Sequence, residues 1–118
     1  MDEILAALSA LRAPIQQGEY DLHRLVMDAL AAAGLSCRHE VNLGPRCRID
    51  LMCGSVGIEI KRGRPEKGRL IAQLTRYAAS AEVSALVVVA ERRVDLPHQV
   101  AGKPVRLLCL NRLWGIAL

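Results

Sequence analysis

The stretch RCRIDLMCGSVGIEIKRGR, residues 46–64, decides how the rest of the chain is read. Apolar residues alternate along both of its halves, Ile49 and Leu51 on the first and Val56, Ile58 and Ile60 on the second. A period of two marks half-buried strands. Gly54-Ser55 lies between them, and glycine at the first central position suits a two-residue type II′ turn. With that turn Cys53 faces Val56, and counting outward pairs Leu51 with Ile58, Asp50 with Glu59 and Ile49 with Ile60. One face of the hairpin is then apolar, and the other holds Asp50, Glu59 and Lys61. Directly opposed side chains have Cβ atoms about 4.5–5.5 Å apart, and like charges there are destabilising. Two carboxylates so placed call for a cation between them. Magnesium suits, because it takes oxygen ligands and is held by one or two carboxylates with water and phosphate.

Working outward, residues 36–43 read as a strand with Val41 and Leu43 on the apolar side and Glu40 on the other. A three-residue loop, Gly44-Pro45-Arg46, pairs Val41 with Ile49 and places Glu40 opposite Asp50. The result is a three-strand meander with Glu40, Asp50 and Glu59 in a row. Ahead of it, residues 19–33 form a helix with Leu22, Leu25, Val26, Ala29 and Leu30 as its stripe, Gly34 as its stop and Glu19 offsetting the dipole at its start. Residues 1–17 hold an additional N-terminal helix over 2–11, ended by Pro14, whose stripe offers a dimer contact. Beyond the hairpin, 63–68 is a basic, proline-containing loop, and 69–81 is a helix burying Leu70, Leu74, Tyr77, Ala78 and Ala81, with Gln73 at the edge of the stripe. The apolar run 83–90 suits a strand buried on both faces. A short helix over 95–100 and a strand over 105–110 follow. This order predicts a mixed α/β sandwich, one domain over 1–118.

At 118 residues and 52% hydrophobic content the chain can bury a real core, built from aliphatic side chains because it holds no Phe, one Trp and two Tyr. That scarcity disfavours recognition of single strands by base stacking. A net charge of +4 fits a polyanionic partner. Cys37, Cys47, Cys53 and Cys109 lack metal spacing and read as buried free thiols of a reducing cytoplasm. No signal peptide or membrane-length apolar run is visible, so the expectation is a cytoplasmic protein with no membrane partner. No serine has a His-acid partner nearby and no P-loop is present, which sets aside a hydrolase triad and a nucleotide-binding loop.

The pattern of Asp50 followed by Ile58-Glu59-Ile60-Lys61 resembles the PD-(D/E)xK nuclease superfamily, although Ile49 stands where the motif's proline would be. The element order resembles the αβββαβ core of that superfamily over nearly the whole chain, which implies a three-layer, restriction-endonuclease-like fold around a mixed sheet. The resemblance implies Mg²⁺, with Mn²⁺ as a substitute, held by Asp50, Glu59 and the Ile60 backbone carbonyl. Lys61 then orients the attacking water. Glu19 resembles the helical glutamate of archaeal Holliday-junction resolvases, whereas Glu40 is the competitor from the meander, so either completes the metal site. Gln73 and Tyr77, spaced Gln-x-x-x-Tyr, resemble the accessory pair of RecB-type exonucleases and their CRISPR-associated relatives. There the glutamine contacts the site and the tyrosine packs or touches nucleic acid. His23 lies one turn after Glu19, within reach of such a site, but reads first as a surface or core histidine.

Arg46, Arg48, Arg62, Arg64, Lys67 and Arg69 border the carboxylate face and would contact phosphates. The expected function is a metal-dependent nuclease acting on nucleic acid, DNA by family analogy. The alternatives are a non-catalytic nucleic-acid-binding or regulatory protein, and a dimeric structure-specific resolvase. A core this small leaves room for a homodimer or a recruiting protein partner.

Overall fold

The computed structural model describes residues 1–11 and 21–113, with side chains as far as residue 111. Helix α1 (Asp2–Leu8) and helix α2 (Leu22–Ala32) precede strands β1 (Arg38–Gly44), β2 (Cys47–Cys53) and β3 (Val56–Lys61). Helix α3 (Lys67–Ala78) then leads to β4 (Ala85–Ala90), β5 (Gln99–Val100), β6 (Lys103–Cys109) and the short α4 (Leu110–Leu113). The six strands form one mixed sheet in the order β1-β2-β3-β4-β6-β5. β1, β2 and β3 are an antiparallel meander, β4 and β6 run parallel to β3, and β5 turns back antiparallel on β6.

Helices cover both faces. Ile4, Leu8, Leu22, Val26 and Leu30 of α1 and α2 pack on Leu51, Ile58, Ile60, Val87 and Val89. On the opposite face Leu70, Leu74, Tyr77 and Ala78 of α3 pack on Ile49, Met52, Leu86 and Val88. All six residues of β4 are buried, as a central strand with helices on both sides requires. The apolar stripe of α1 therefore lies in the core against α2 rather than forming an outward dimer contact. Among the described residues no helix is long and apolar enough to cross a membrane.

Local chemistry sets the element ends. The Asp21 carboxylate accepts the Arg24 N–H at 3.1 Å and starts α2, and Gly34 (φ +78°) follows its end. Glu66 caps α3, accepting from the N–H groups of Gly68 and Arg69 at 3.0 and 2.7 Å, so that helix opens at Lys67, two residues before the sequence pattern suggests. The Gly54-Ser55 turn is present, with Cys53 paired to Val56 and Gly54 at φ +61°. The expected helix over 95–100 is absent. Pro97 disfavours the helical conformation for Leu96, and the left-handed pair Ala101 and Gly102 (φ +50° and +78°) makes a tight hairpin joining β5 to β6.

Three further expectations are corrected. Leu51 pairs with Ile58 as read, but Ile49 does not join Ile60 on one apolar face: Ile60 packs toward α1 and α2, Ile49 toward α3. Residues 49, 51 and 53 would share a face in a regular strand, so β2 turns over at Asp50. On β3, Gly57 leaves the space that Ile49 occupies after this turn. A Cβ there would stand 2.5 Å from Ile49 Cδ1. β1 turns over beside it at Glu40, which sits at φ +49°, so Val41 and Leu43 pack toward α3 while Cys37 packs toward α2. The Val41–Ile49 register holds, but a shift between Asn42 and Gly44 pairs Gly44 with Cys47 and shortens the turn to Pro45-Arg46. Finally, Cys37 and Cys53 form a disulfide, leaving Cys47 and Cys109 as free thiols. With Cys37 and Cys53 bonded, the cysteines no longer point to a reducing compartment.

Candidate active site

Asp50 and Glu59 meet where the β2–β3 ladder opens. Regular pairing ends at Leu51–Ile58, and beyond it each carboxylate binds the main chain of the opposite strand. Asp50 Oδ2 accepts the Ile60 N–H at 2.8 Å, and Glu59 Oε1 accepts the Asp50 N–H at 3.3 Å. The two acids are thus brought together by side-chain bonds that replace ladder bonds, rather than as facing side chains on a flat sheet. Because the N–H and C=O of one strand residue point to the same side, the Ile60 carbonyl also faces the opened gap.

Lys61 Nζ lies 3.2 Å from Glu59 Oε2; the lysine is 30% exposed and the glutamate 5%. Burial of Glu59, with the nearby Asp50 charge, raises its pKa above the usual carboxylate range, and Lys61 opposes this only in part. Tyr77, itself buried, donates its hydroxyl to the Arg48 carbonyl at 3.0 Å. Its pKa is raised by burial first and by the Glu59 carboxylate second. The tyrosine therefore ties α3 to β2 at the point where that strand parts from β3. Gln73, one turn earlier on α3, lines a cleft with Lys61.

His23 reaches the pair from the first turn of α2, with Nε2 3.6 Å from Asp50 Oδ2. The sequence offered only its nearness in the chain to Glu19; its contact with Asp50 is tertiary, and no spacing within α2 encodes it. Glu19 lies outside the described residues. Glu40 stands beside Asp50 by register, but it is exposed, and no hydrogen bond or ion pair among the described residues joins it to Asp50 or Glu59. No group of three or more His, Cys, Asp or Glu among the described residues is arranged to hold a metal ion. What the site offers is two oxygen donors from Asp50 and Glu59, the Ile60 carbonyl on the same side, and the His23 nitrogen at its rim. Oxygen donors of this kind fit a hard divalent ion that keeps several waters.

No protein-family model, curated protein or solved structure matches this chain. The antiparallel β2–β3 pair sets the start of β2 beside the end of β3, so Arg46 and Arg48 come to the same end of the sheet as Lys61, Arg62 and Arg64. The first turn of α3 adds Lys67 and Arg69, and all six arginines and lysines other than Lys61 are exposed. The loop carrying Arg62 and Arg64 is fastened to the end of β4: Glu91 N–H donates to the Lys61 carbonyl at 3.2 Å, Arg92 N–H donates to the Gly63 carbonyl at 3.1 Å, and Gly63 N–H donates to the Glu91 carboxylate.

Proposed function

We propose that this chain is a metal-dependent nuclease of the PD-(D/E)xK type that hydrolyses phosphodiester bonds in DNA. The observation that carries the reading is the crossed pair of Asp50 and Glu59, each carboxylate bound to the other strand's main chain, with Lys61 against Glu59. With both acids ionised, two carboxylates against one ammonium leave the spot net negative, which favours a divalent cation there. The element order supports a restriction-endonuclease-like core, since α2, the β1–β2–β3 meander, α3 and the parallel β4 follow the αβββαβ sequence.

Asp50, Glu59 and the Ile60 carbonyl would hold Mg²⁺, or Mn²⁺ in its place, with the His23 nitrogen as a further donor. When bound, such an ion lowers the pKa of a water and shields phosphate charge. Lys61, held beside Glu59, would orient an attacking water toward phosphorus and counter the charge that develops on the phosphate oxygens. Tyr77 and the two crossed hydrogen bonds hold the acids in place, so little reorganisation is needed during reaction. The exposed arginines and lysines at this end of the sheet hold the flanking backbone.

The test is cleavage of linear, circular, single-stranded and branched DNA in MgCl₂, MnCl₂ or EDTA. Cleavage should need the metal and vanish in Asp50→Ala. In Lys61→Ala it should fall by roughly 10²–10³, the loss seen when one transition-state donor is removed, while DNA binding persists. Binding with no cleavage under either metal would instead favour a non-catalytic nucleic-acid-binding or regulatory role. A dimer that prefers branched DNA would favour a resolvase.

A further inference from the structure

Between the end of β3 and the first two turns of α3 lies a cleft of about 210 Å³, lined by Lys61, Pro65, Glu66, Arg69, Leu70 and Gln73. It lies below the roughly 300–1,000 Å³ of sites that enclose drug-sized ligands, and it is sized for a single small polar unit. Its chemistry is divided. Lys61, Arg69 and Gln73 supply hydrogen-bond donors, two of them cationic, while Pro65 and Leu70 form an apolar wall. Glu66 is the one acid, and its carboxylate already accepts from the N–H groups of Gly68 and Arg69. Those bonds hold its pKa below the usual carboxylate range and satisfy part of its charge within the protein. No aromatic ring lines the cleft, so it offers a base nothing to stack on.

We infer that this cleft takes the sugar–phosphate of the nucleotide next to the bond being cut, with its phosphate on Arg69 and Gln73 and its sugar against Pro65 and Leu70. Lys61 belongs to both places, since it lines the cleft and also touches Glu59, so a phosphate seated there fixes the neighbouring one over the carboxylates. The inference rests on the reading of Asp50, Glu59 and Lys61 as a phosphodiesterase site and adds what that site recognises: the charge and spacing of the backbone, with no reading of the base at that position.

Two measurements test it. The first is the salt dependence of duplex DNA binding in EDTA, which needs no catalysis. Removing one phosphate contact makes the slope of log K against log salt shallower by about 0.9. Arg69→Ala should show that change and Arg69→Lys should restore the slope. Arg38→Ala, which removes an exposed arginine paired with Glu82 at the opposite end of the sheet, should match the parent protein. The second is cleavage of duplexes carrying single methylphosphonates. In the parent, a neutral linkage next to a given bond should suppress cleavage there about tenfold, the scale of one lost charge-assisted hydrogen bond. In Arg69→Ala the same linkage should cause no further loss. If Arg69→Ala equals the parent in both measurements while DNA is cut normally, the cleft assignment is overturned and the catalytic reading stands. If the slope changes as expected but nothing is cut, the cleft holds phosphate and the catalytic reading fails. Absence of any DNA binding overturns both.

Discussion

Glu59 is a buried acid whose charge works against the stability of the fold. Its side chain is almost fully buried, and burial together with Asp50 raises its pKa. A carboxyl with a raised pKa holds its proton more tightly folded than unfolded. In EDTA the native state should therefore lose stability as pH rises from the ordinary glutamate range through the raised pKa, and regain it as pH falls again. Glu59→Gln keeps the shape and an acceptor for the Asp50 N–H while removing the buried charge. It should melt at a higher temperature than the parent at pH 7 in EDTA and should cut no DNA. A lower Tm would mean that Lys61 and the Asp50 N–H more than offset the burial. Adding MgCl₂ should raise the Tm of the parent, by about 2.7 kcal/mol of stability at a hundred times the Kd, and leave Glu59→Gln unmoved. Tyr77→Phe removes only the hydroxyl that meets the Arg48 carbonyl. It should cost about 1 kcal/mol in urea unfolding, the net worth of a typical hydrogen bond. At this scale the two-residue turn at Gly54-Ser55 was enough to bring Asp50 close to Glu59 and Lys61 in the sequence reading, but the period of two was not: it made the acids a facing pair on a flat sheet, whereas each binds the opposite main chain where the ladder opens. The sequence could not show His23 at Asp50, because only the packing of α2 on the sheet creates that contact.

The elements that carry these residues depend on two places where a strand turns over. Glu40 adopts φ +49° on β1 next to the point where β2 reverses its faces at Asp50. A left-handed non-glycine residue costs roughly 1–2 kcal/mol, and glycine takes the same conformation without a Cβ clash. Glu40→Gly should therefore raise stability by about 1 kcal/mol, whereas Glu40→Ala should not, and urea unfolding of the pair separates backbone strain from loss of the carboxylate. The turnover was hard to see in the sequence, since Ile49, Leu51 and Cys53 fit one apolar face as well as two. The clue was Gly57, because a glycine inside a strand marks close approach of a neighbour, and here the neighbour is Ile49. The disulfide was legible by arithmetic: the register that pairs Val41 with Ile49 and Arg38 with Met52 sets Cys37 opposite Cys53. Closing a loop across 16 residues stabilises by about 3 kcal/mol in the chain-entropy account. Dithiothreitol should lower stability by that order. Alkylation of the unfolded chain should label Cys47 and Cys109 before reduction and all four cysteines after it.

At the scale of the whole molecule, register turns scattered charges into a directed field. The basic residues of the β1–β2 turn stand apart in sequence from those at the end of β3 and the start of α3, yet the antiparallel β2–β3 pair and the return of α3 toward β4 bring both groups to the end of the sheet where the carboxylates meet. A net charge of +4 would attract DNA only weakly if it were spread evenly. Concentrated at one end, it can steer a polyanion onto the site. Reversing two of these charges, as in Arg46→Glu with Arg64→Glu, should weaken duplex binding steeply at low salt and progressively less as salt rises, because screening removes the difference. Both side chains are exposed, and exposed substitutions usually change stability by less than about 0.5 kcal/mol each, so the double variant should melt within roughly 5 °C of the parent. Reversing Arg38 and Arg106 instead, neither of which lies at this end of the sheet, alters the net charge by the same amount and should leave binding nearly unchanged. Equal losses from both pairs would show that net charge alone draws the DNA and that the clustering around Asp50 and Glu59 has no part in holding it.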